Sequence, residues 1–185
     1  MGIRTVFDRP WLGRAASLAF FAALATLSGP ARAGDLQVVS SIEVKASPAE
    51  VWAFIGGFDN LQGWHPAVES SKMTGSPTTV GSTRVLSLKG GGEITEELTS
   101  YSSSAMRYTY KILESPLPVS DYASFLAVTD AGDGRSLVIW GSRFDAKGVP
   151  AAKAKSVIAG IYKAGLDTVG KKFGVVRAMG HKKKM

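Results

Sequence analysis

The chain has 185 residues, with 22 Lys and Arg against 15 Asp and Glu, two His and no Cys. That length suits one domain of roughly 100–200 residues, and the missing Cys excludes a disulfide framework and any thiolate-held zinc or iron–sulfur group. The formal charge of +7 points to a nucleic-acid or membrane surface only if it sits on a folded face.

Arg4, Arg9 and Arg14 precede an uncharged run of 13 residues, Ala15 to Leu27, rich in Ala, Leu and Phe. A membrane span takes about 20 apolar residues, whereas the core of a secretory leader takes roughly 7–15. Gly29 and Pro30 break the run, and Ala31-Arg32-Ala33 supplies small side chains two apart. The reading is a signal peptide over 1–33, cut after Ala33, with a periplasmic mature protein that keeps no stable membrane span. The mature chain carries 18 basic and 14 acidic residues, and six of the basic ones lie from Lys171 onward. Its body is slightly acidic, which speaks against a nucleic-acid partner. Residues 34–180 then form a single domain, and 181–185 a basic tail.

Leu36 to Val44 alternates as a strand. Ser47-Pro48-Ala49-Glu50 opens a short helix, with a Ser cap, Pro at the first helical position and Glu three after the Ser. Gly56-Gly57 ends it, and Phe58 to Trp64 reads as a second short helical turn stopped at Pro66. Six strands follow near 67–74, 82–89, 93–100, 105–114, 119–129 and 135–145. Lys89 to Gly92 and Asp130 to Gly134 are hairpin turns, and Ser115-Pro116-Leu117-Pro118 is a stiff connector. Pro150 opens a long helix from Ala151 to about Ala178. Its stripe is Ala154, Val157, Ile158, Ile161, Leu166, Val169 and Phe173. Gly160, Gly165, Gly170 and Gly174 interrupt it at roughly 1 kcal/mol each, which close packing on a sheet would explain. The whole is α+β: a curved antiparallel sheet of about seven strands round a long C-terminal helix, with two short helices after strand 1. A gap between such a sheet and helix suits a small ligand.

The order, with Ser47-Pro48-Ala49-Glu50-Val51-Trp52, Phe58-Asp59-Asn60-Leu61, Trp64-His65-Pro66, Gly81 with Arg84, Ile94-Thr95-Glu96-Glu97-Leu98 and Tyr108-Thr109-Tyr110, resembles the Bet v 1/START-like (SRPBCC) superfamily. Ser115 to Val119, Asp121-Tyr122 and the Trp140 strand complete the match to its polyketide cyclase/dehydrase-type branch. The resemblance implies the helix-grip fold. With the leader added, the chain is similar to MxaD-type periplasmic proteins of methanol oxidation. That likeness implies a periplasmic dehydrogenase and a cytochrome c as partners, and a role in electron transfer between them.

The turn centred on Gly90 sets a register in which Arg84 faces Glu96. Arg84, Leu86 and Leu88 share one face, as do Ile94, Glu96 and Leu98, so an Arg–Glu pair sits among apolar neighbours and Glu97 faces outward. Pairing there is close to obligatory, because an unpartnered buried charge costs several kcal/mol. The pair is open to two readings: a self-satisfying ion pair, or the polar floor of a cavity. The resemblance also implies a proton-transfer role, since plant enzymes of this branch use a comparable pair; Arg84 and Glu96 are thus the catalytic candidates. Tyr108 and Tyr110 share parity with Met106, and Tyr122 lies two residues from Ser120 and Ser124; each offers a hydroxyl to the core or to a ligand. Trp52 and Trp140 read as core. Trp64 and His65 fall at the cavity mouth, where His65 is either a capping residue or a titrating base. The ligand-binding set is therefore Trp64, His65, Arg84, Glu96, Tyr108, Tyr110 and Tyr122, with no metal or cofactor called for. The expected function is binding of a small apolar or amphipathic ligand, or assistance to a redox partner. The alternatives are a cyclase, dehydratase or isomerase using Arg84 and Glu96, and a lipid carrier.

Overall fold

The computed structural model describes residues 34–176. The leader over 1–33, the end of the expected long helix past 176 and the basic tail lie outside the described residues. Seven strands form one antiparallel sheet: β1 (Leu36–Val44), β2 (Val68–Thr74), β3 (Thr83–Leu88), β4 (Glu93–Ser102), β5 (Arg107–Glu114), β6 (Val119–Gly132) and β7 (Arg135–Ala146). Their order is β1-β7-β6-β5-β4-β3-β2. Each strand from β2 onward pairs with the next through a short connection, and β1 closes on to β7. Helices α1 (Pro48–Ile55) and α2 (Ala151–Phe173) complete the domain. Among the described residues no helix is long and apolar enough to cross a membrane.

α1 starts where its caps dictate. The Glu50 backbone N–H reaches Ser47 Oγ at 3.4 Å, and the Ser47 N–H donates to Glu50 Oε2 at 2.9 Å. Two otherwise orphaned donors are thereby satisfied. The expected second helical turn over 58–64 shrinks to a single 3-10 turn, Leu61–Gly63. Asn60 makes no side-chain cap bond to it, and it ends in a single α-turn bond from the His65 N–H to the Leu61 carbonyl at 2.8 Å, with Pro66 following. The Asp130–Gly134 connection tightens as well. β6 runs on to Gly132 through a bulge, leaving Asp133-Gly134 as a two-residue turn with φ of 52° and 68°. Left-handed Asp-Gly is the pair such a hairpin favours.

α2 stops at Phe173, a turn short of the expected end. Gly174 adopts φ of 79°, a left-handed stop that costs glycine little. The chain then returns to β1, with the Lys45 N–H on the Gly174 carbonyl and the Val176 N–H on the Glu43 carbonyl, both at 2.9 Å. Ala154, Ile158, Tyr162, Leu166 and Val169 are the buried stripe of α2, while Val157, Ile161 and Phe173 are only half-buried. Of its glycines, Gly165 has a packing reason: a Cβ there would lie 2.8 Å from His65 and 2.9 Å from Trp64 and Trp140. Gly170 meets Ile42 at 2.7 Å, and Gly160 faces open space. The grip of sheet on helix is thus close at Gly165 and Gly170, and it loosens toward the N-terminal half of α2, where Val157, Ile158 and Ile161 face a cavity.

Candidate functional site

A cavity of about 270 Å³ fills that looser half. Its walls are mostly aliphatic: Leu86 and Leu88 from β3, Ile94 from β4, and Val157, Ile158 and Ile161 from α2. The polar groups on its surface are few, namely His65, Glu96, Tyr110, Tyr122 and Tyr162. Of the residues expected at a ligand site, His65, Glu96, Tyr110 and Tyr122 line this space, whereas Trp64, Arg84 and Tyr108 stand behind it. Trp140, expected as core, is buried and also lines the wall. Tyr162 also lines the space, although it is not part of the apolar stripe expected for α2, which takes in no residue with a polar group. Its spacing four after Ile158 and four before Leu166 marks it as an inward hydroxyl.

β3 and β4 pair Arg84 with Glu96 directly. Arg84 Nε donates to Glu96 Oε2 at 2.6 Å, and Nη2 lies 2.6 Å from the same oxygen, at an angle too bent for a hydrogen bond. Nη1 donates to the Phe58 carbonyl at 2.5 Å. The guanidinium carbon sits 4.1 Å from the centre of the Phe58 ring and 5.3 Å from that of Tyr110, an added cation–π attraction. Arg84 is 1% exposed and Glu96 4%. Burial is the largest single influence and works against the Arg84 charge, but the Glu96 carboxylate and its hydrogen bond, together with Tyr108 and Tyr110, outweigh it and hold the guanidinium above its ordinary range. For Glu96 burial is the larger influence, and its carboxyl is raised despite Arg84. The polar floor of the cavity is therefore Glu96, with Arg84 as its support and not as a ligand contact. Glu97 points outward, 3.0 Å from Lys111.

His65 is fully engaged. Its Nε2 lies 3.0 Å from the Ile161 carbonyl, and Nδ1 accepts from the Ala67 N–H at 3.2 Å. These two bonds fix the neutral tautomer protonated at Nε2. Burial, helped by Arg84 and opposed by the Ile161 bond, holds the imidazole below its ordinary value. With both nitrogens taken by backbone, His65 ties the loop before β2 to α2 and has no lone pair for base catalysis. Trp64 packs on Trp140, ring centres 5.3 Å apart, and its buried Nε1 has no partner among the described residues.

The phenols fall into two groups. Tyr108 is buried in an aromatic stack, 5.7 Å from Phe58, 6.0 Å from Trp52 and 6.5 Å from Tyr101. Tyr110, Tyr122 and Tyr162 face the cavity. A bulge between Ser120 and Ala123, with Asp121 at φ of 48°, breaks the alternation of β6. It leaves Ser120 exposed and turns both Val119 and Tyr122 inward, so Tyr122 shares its face with Ser124 but not with Ser120. Trp140 Nε1 donates to the Tyr110 hydroxyl at 2.9 Å. The Tyr122 and Tyr162 hydroxyls are in close hydrogen-bond contact, and Tyr162 also meets Ser124 Oγ at 3.2 Å. Burial pushes Tyr108 and Tyr162 up to about 12 and Tyr110 and Tyr122 well above their ordinary value, so all four are neutral hydroxyls at physiological pH. No three His, Asp or Glu among the described residues gather as a metal site.

Comparison with known proteins places this arrangement. Residues 35–174 match the model of a family described as polyketide cyclase / dehydrase and lipid transport. No curated protein sequence matches. Among solved structures, XoxI from Bacillus cereus is 33% identical, with a TM-score of 0.69 over 74% of this chain and 94% of that one. An uncharacterized protein from Bacillus thuringiensis is 32% identical, with a TM-score of 0.70 over 75% of this chain and 98% of that one. Norcoclaurine synthase from Thalictrum flavum shares the fold at 18% identity, with a TM-score of 0.58 over 74% of this chain and 85% of that one. The helix-grip architecture and the family match over most of its length agree: the chain belongs to the polyketide cyclase/dehydrase and lipid transport family, within the Bet v 1-like superfamily.

Proposed function

We propose that this protein binds one small, largely apolar molecule between its sheet and α2, and that it does so as a non-catalytic binder or carrier. The observation that carries this is the aliphatic cavity of about 270 Å³. A dry cavity of about 150 Å³ accepts benzene, so this one suits a guest of on the order of ten non-hydrogen atoms. A two-chain lipid is far larger, which favours a small guest over a membrane lipid as cargo. The exported, periplasmic setting is part of the proposal and rests on the leader over 1–33. Native mass spectrometry of protein purified from its own cells tests it. A released small molecule is expected, and a bare protein mass throughout contradicts the reading.

A second reading has one observation in its favour. Glu96 lines the cavity, yet Arg84 occupies only Oε2, and Oε1 receives no hydrogen bond from any described residue. A carboxylate so placed can move a proton on a bound carbonyl compound. Glu96→Gln keeps the shape and removes that capacity, so unchanged turnover in this variant would reject the enzymatic reading. The likeness to MxaD-type proteins supports a finer role in methanol oxidation, beside a dehydrogenase and its cytochrome c. Loss of methanol-dependent respiration on gene deletion is the expected result, and an unchanged rate in a methanol oxidiser removes it.

A further inference from the structure

The hydroxyls around the cavity are not interchangeable, because each is already committed on one side. The Ser124 hydroxyl donates to the Gly141 carbonyl at 2.8 Å, and a carbonyl can only accept. Ser124 thus has no proton left for Tyr162, 3.2 Å away, and that contact is a hydrogen bond only if Tyr162 donates. Tyr162 then has no proton left for Tyr122, so in their close contact Tyr122 is the donor. Protons run one way, from Tyr122 through Tyr162 and Ser124 to the backbone of β7. The Tyr122 oxygen is left with lone pairs only.

Tyr110 is committed in the opposite sense. The Trp140 indole N–H can only donate, and it fills a lone pair of the Tyr110 oxygen at 2.9 Å. The Tyr110 hydrogen has no acceptor among the described residues, so Tyr110 is a free donor. Glu96 adds an acceptor through Oε1, and its charge is already balanced by Arg84. The Tyr110 and Tyr122 rings are 6.3 Å apart, which brings donor and acceptor to one region of the wall.

From this polarity we infer that the cavity selects a neutral molecule bearing a hydroxyl group, an alcohol or phenol on an apolar body, over a carboxylate or an ammonium of the same shape. The guest oxygen accepts from Tyr110, and its hydrogen is given to Tyr122 or to Glu96. A carboxylate would set its lone pairs against those of Tyr122 and Glu96. An ammonium would bury a third charge beside a pair that is already neutral, with no counter-charge left for it. A hydrocarbon would leave the free donor and both acceptors unpaired. This selectivity rests on the cavity being a ligand site, as proposed above.

The test is calorimetric titration, at neutral pH, of propylbenzene, 4-propylphenol, 4-ethylbenzoate and 4-ethylbenzylamine. The phenol is expected to bind about tenfold more tightly than propylbenzene, the yield of two neutral hydrogen bonds, and both ions more weakly than propylbenzene. Equal affinity for phenol and hydrocarbon, or tightest binding of an ion, overturns the selectivity and leaves cavity binding standing. No binding by any of the four overturns the ligand-site reading and the selectivity with it. In Tyr110→Phe the ratio of phenol to hydrocarbon affinity is expected to fall several-fold. If that variant fails to fold, the wild-type ratio alone decides.

Discussion

Two buried polar groupings lie between the inner face of the sheet and the helices, and they use their bonding capacity differently. On β3 and β4, Arg84 spends its strongest donors on Glu96 Oε2 and the Phe58 carbonyl, with an aromatic ring over its face. On β5, β6 and α2, Tyr110, Tyr122 and Tyr162 line the cavity with half of their capacity still open. A charge in this setting has to be satisfied before the domain can fold. A neutral hydroxyl can wait for a guest at far smaller cost. The ion pair is therefore chiefly structure and the hydroxyls chiefly recognition, with Glu96 belonging to both.

The sharpest way to break this division is at Arg84. Arg84→Met strands the Glu96 carboxylate, and we expect a loss of about 3–5 kcal/mol in urea unfolding. Adding Glu96→Leu removes the stranded charge and should restore most of that loss. A single variant that costs under about 1 kcal/mol would mean that the pair is not structural. Next in size is Gly165→Ala, whose methyl meets three rings and should cost about 1–3 kcal/mol. Gly160→Ala faces open space on the same helix and should instead stabilise by up to about 1 kcal/mol. Equal effects at the two sites would contradict the close approach assigned to Gly165. Tyr162→Phe leaves the Tyr122 hydrogen and Ser124 without their partner, at a cost of about 1 kcal/mol, and stability unchanged within error would argue against the directed chain.

The smallest effect is pH-dependent. His65 is held below the ordinary imidazole value of 6.5, chiefly by burial, so the folded state binds its proton less readily than the unfolded chain. The stability this gives is complete above 6.5 and is lost as pH falls below it toward the folded value. Glu96, raised by burial, has the opposite sign and loses stability as pH rises from 4.5. Wild type should therefore lose more stability than His65→Gln between neutral pH and about pH 5. Parallel curves for the two proteins would show that His65 is not the group concerned.

Local rules carried much of this into the sequence. Ser47 and Glu50 announced α1, and the Gly90 turn with strict alternation announced Arg84 opposite Glu96. What stayed hidden depended on long-range packing. Nothing near Arg84 says that the Phe58 carbonyl will take Nη1, which turns a cavity floor into its support. The bulge before Ala123 parts Tyr122 from Ser120 without a glycine to mark it. Tyr162 lay in plain helical spacing, but its place among hydroxyls exists only once β6 and α2 meet. Gly174 read as helix interior because its role as a stop depends on the chain turning back to β1.

The central claim is that a small guest occupies the space between sheet and helix, and methyl NMR during titration with 4-propylphenol tests it most directly. The methyl signals of Leu86, Leu88, Ile94, Ile158 and Ile161, all on the cavity wall, should shift together, while those of exposed Val39 stay in place. Shifts centred on Val39 and absent from the cavity methyls would contradict the account.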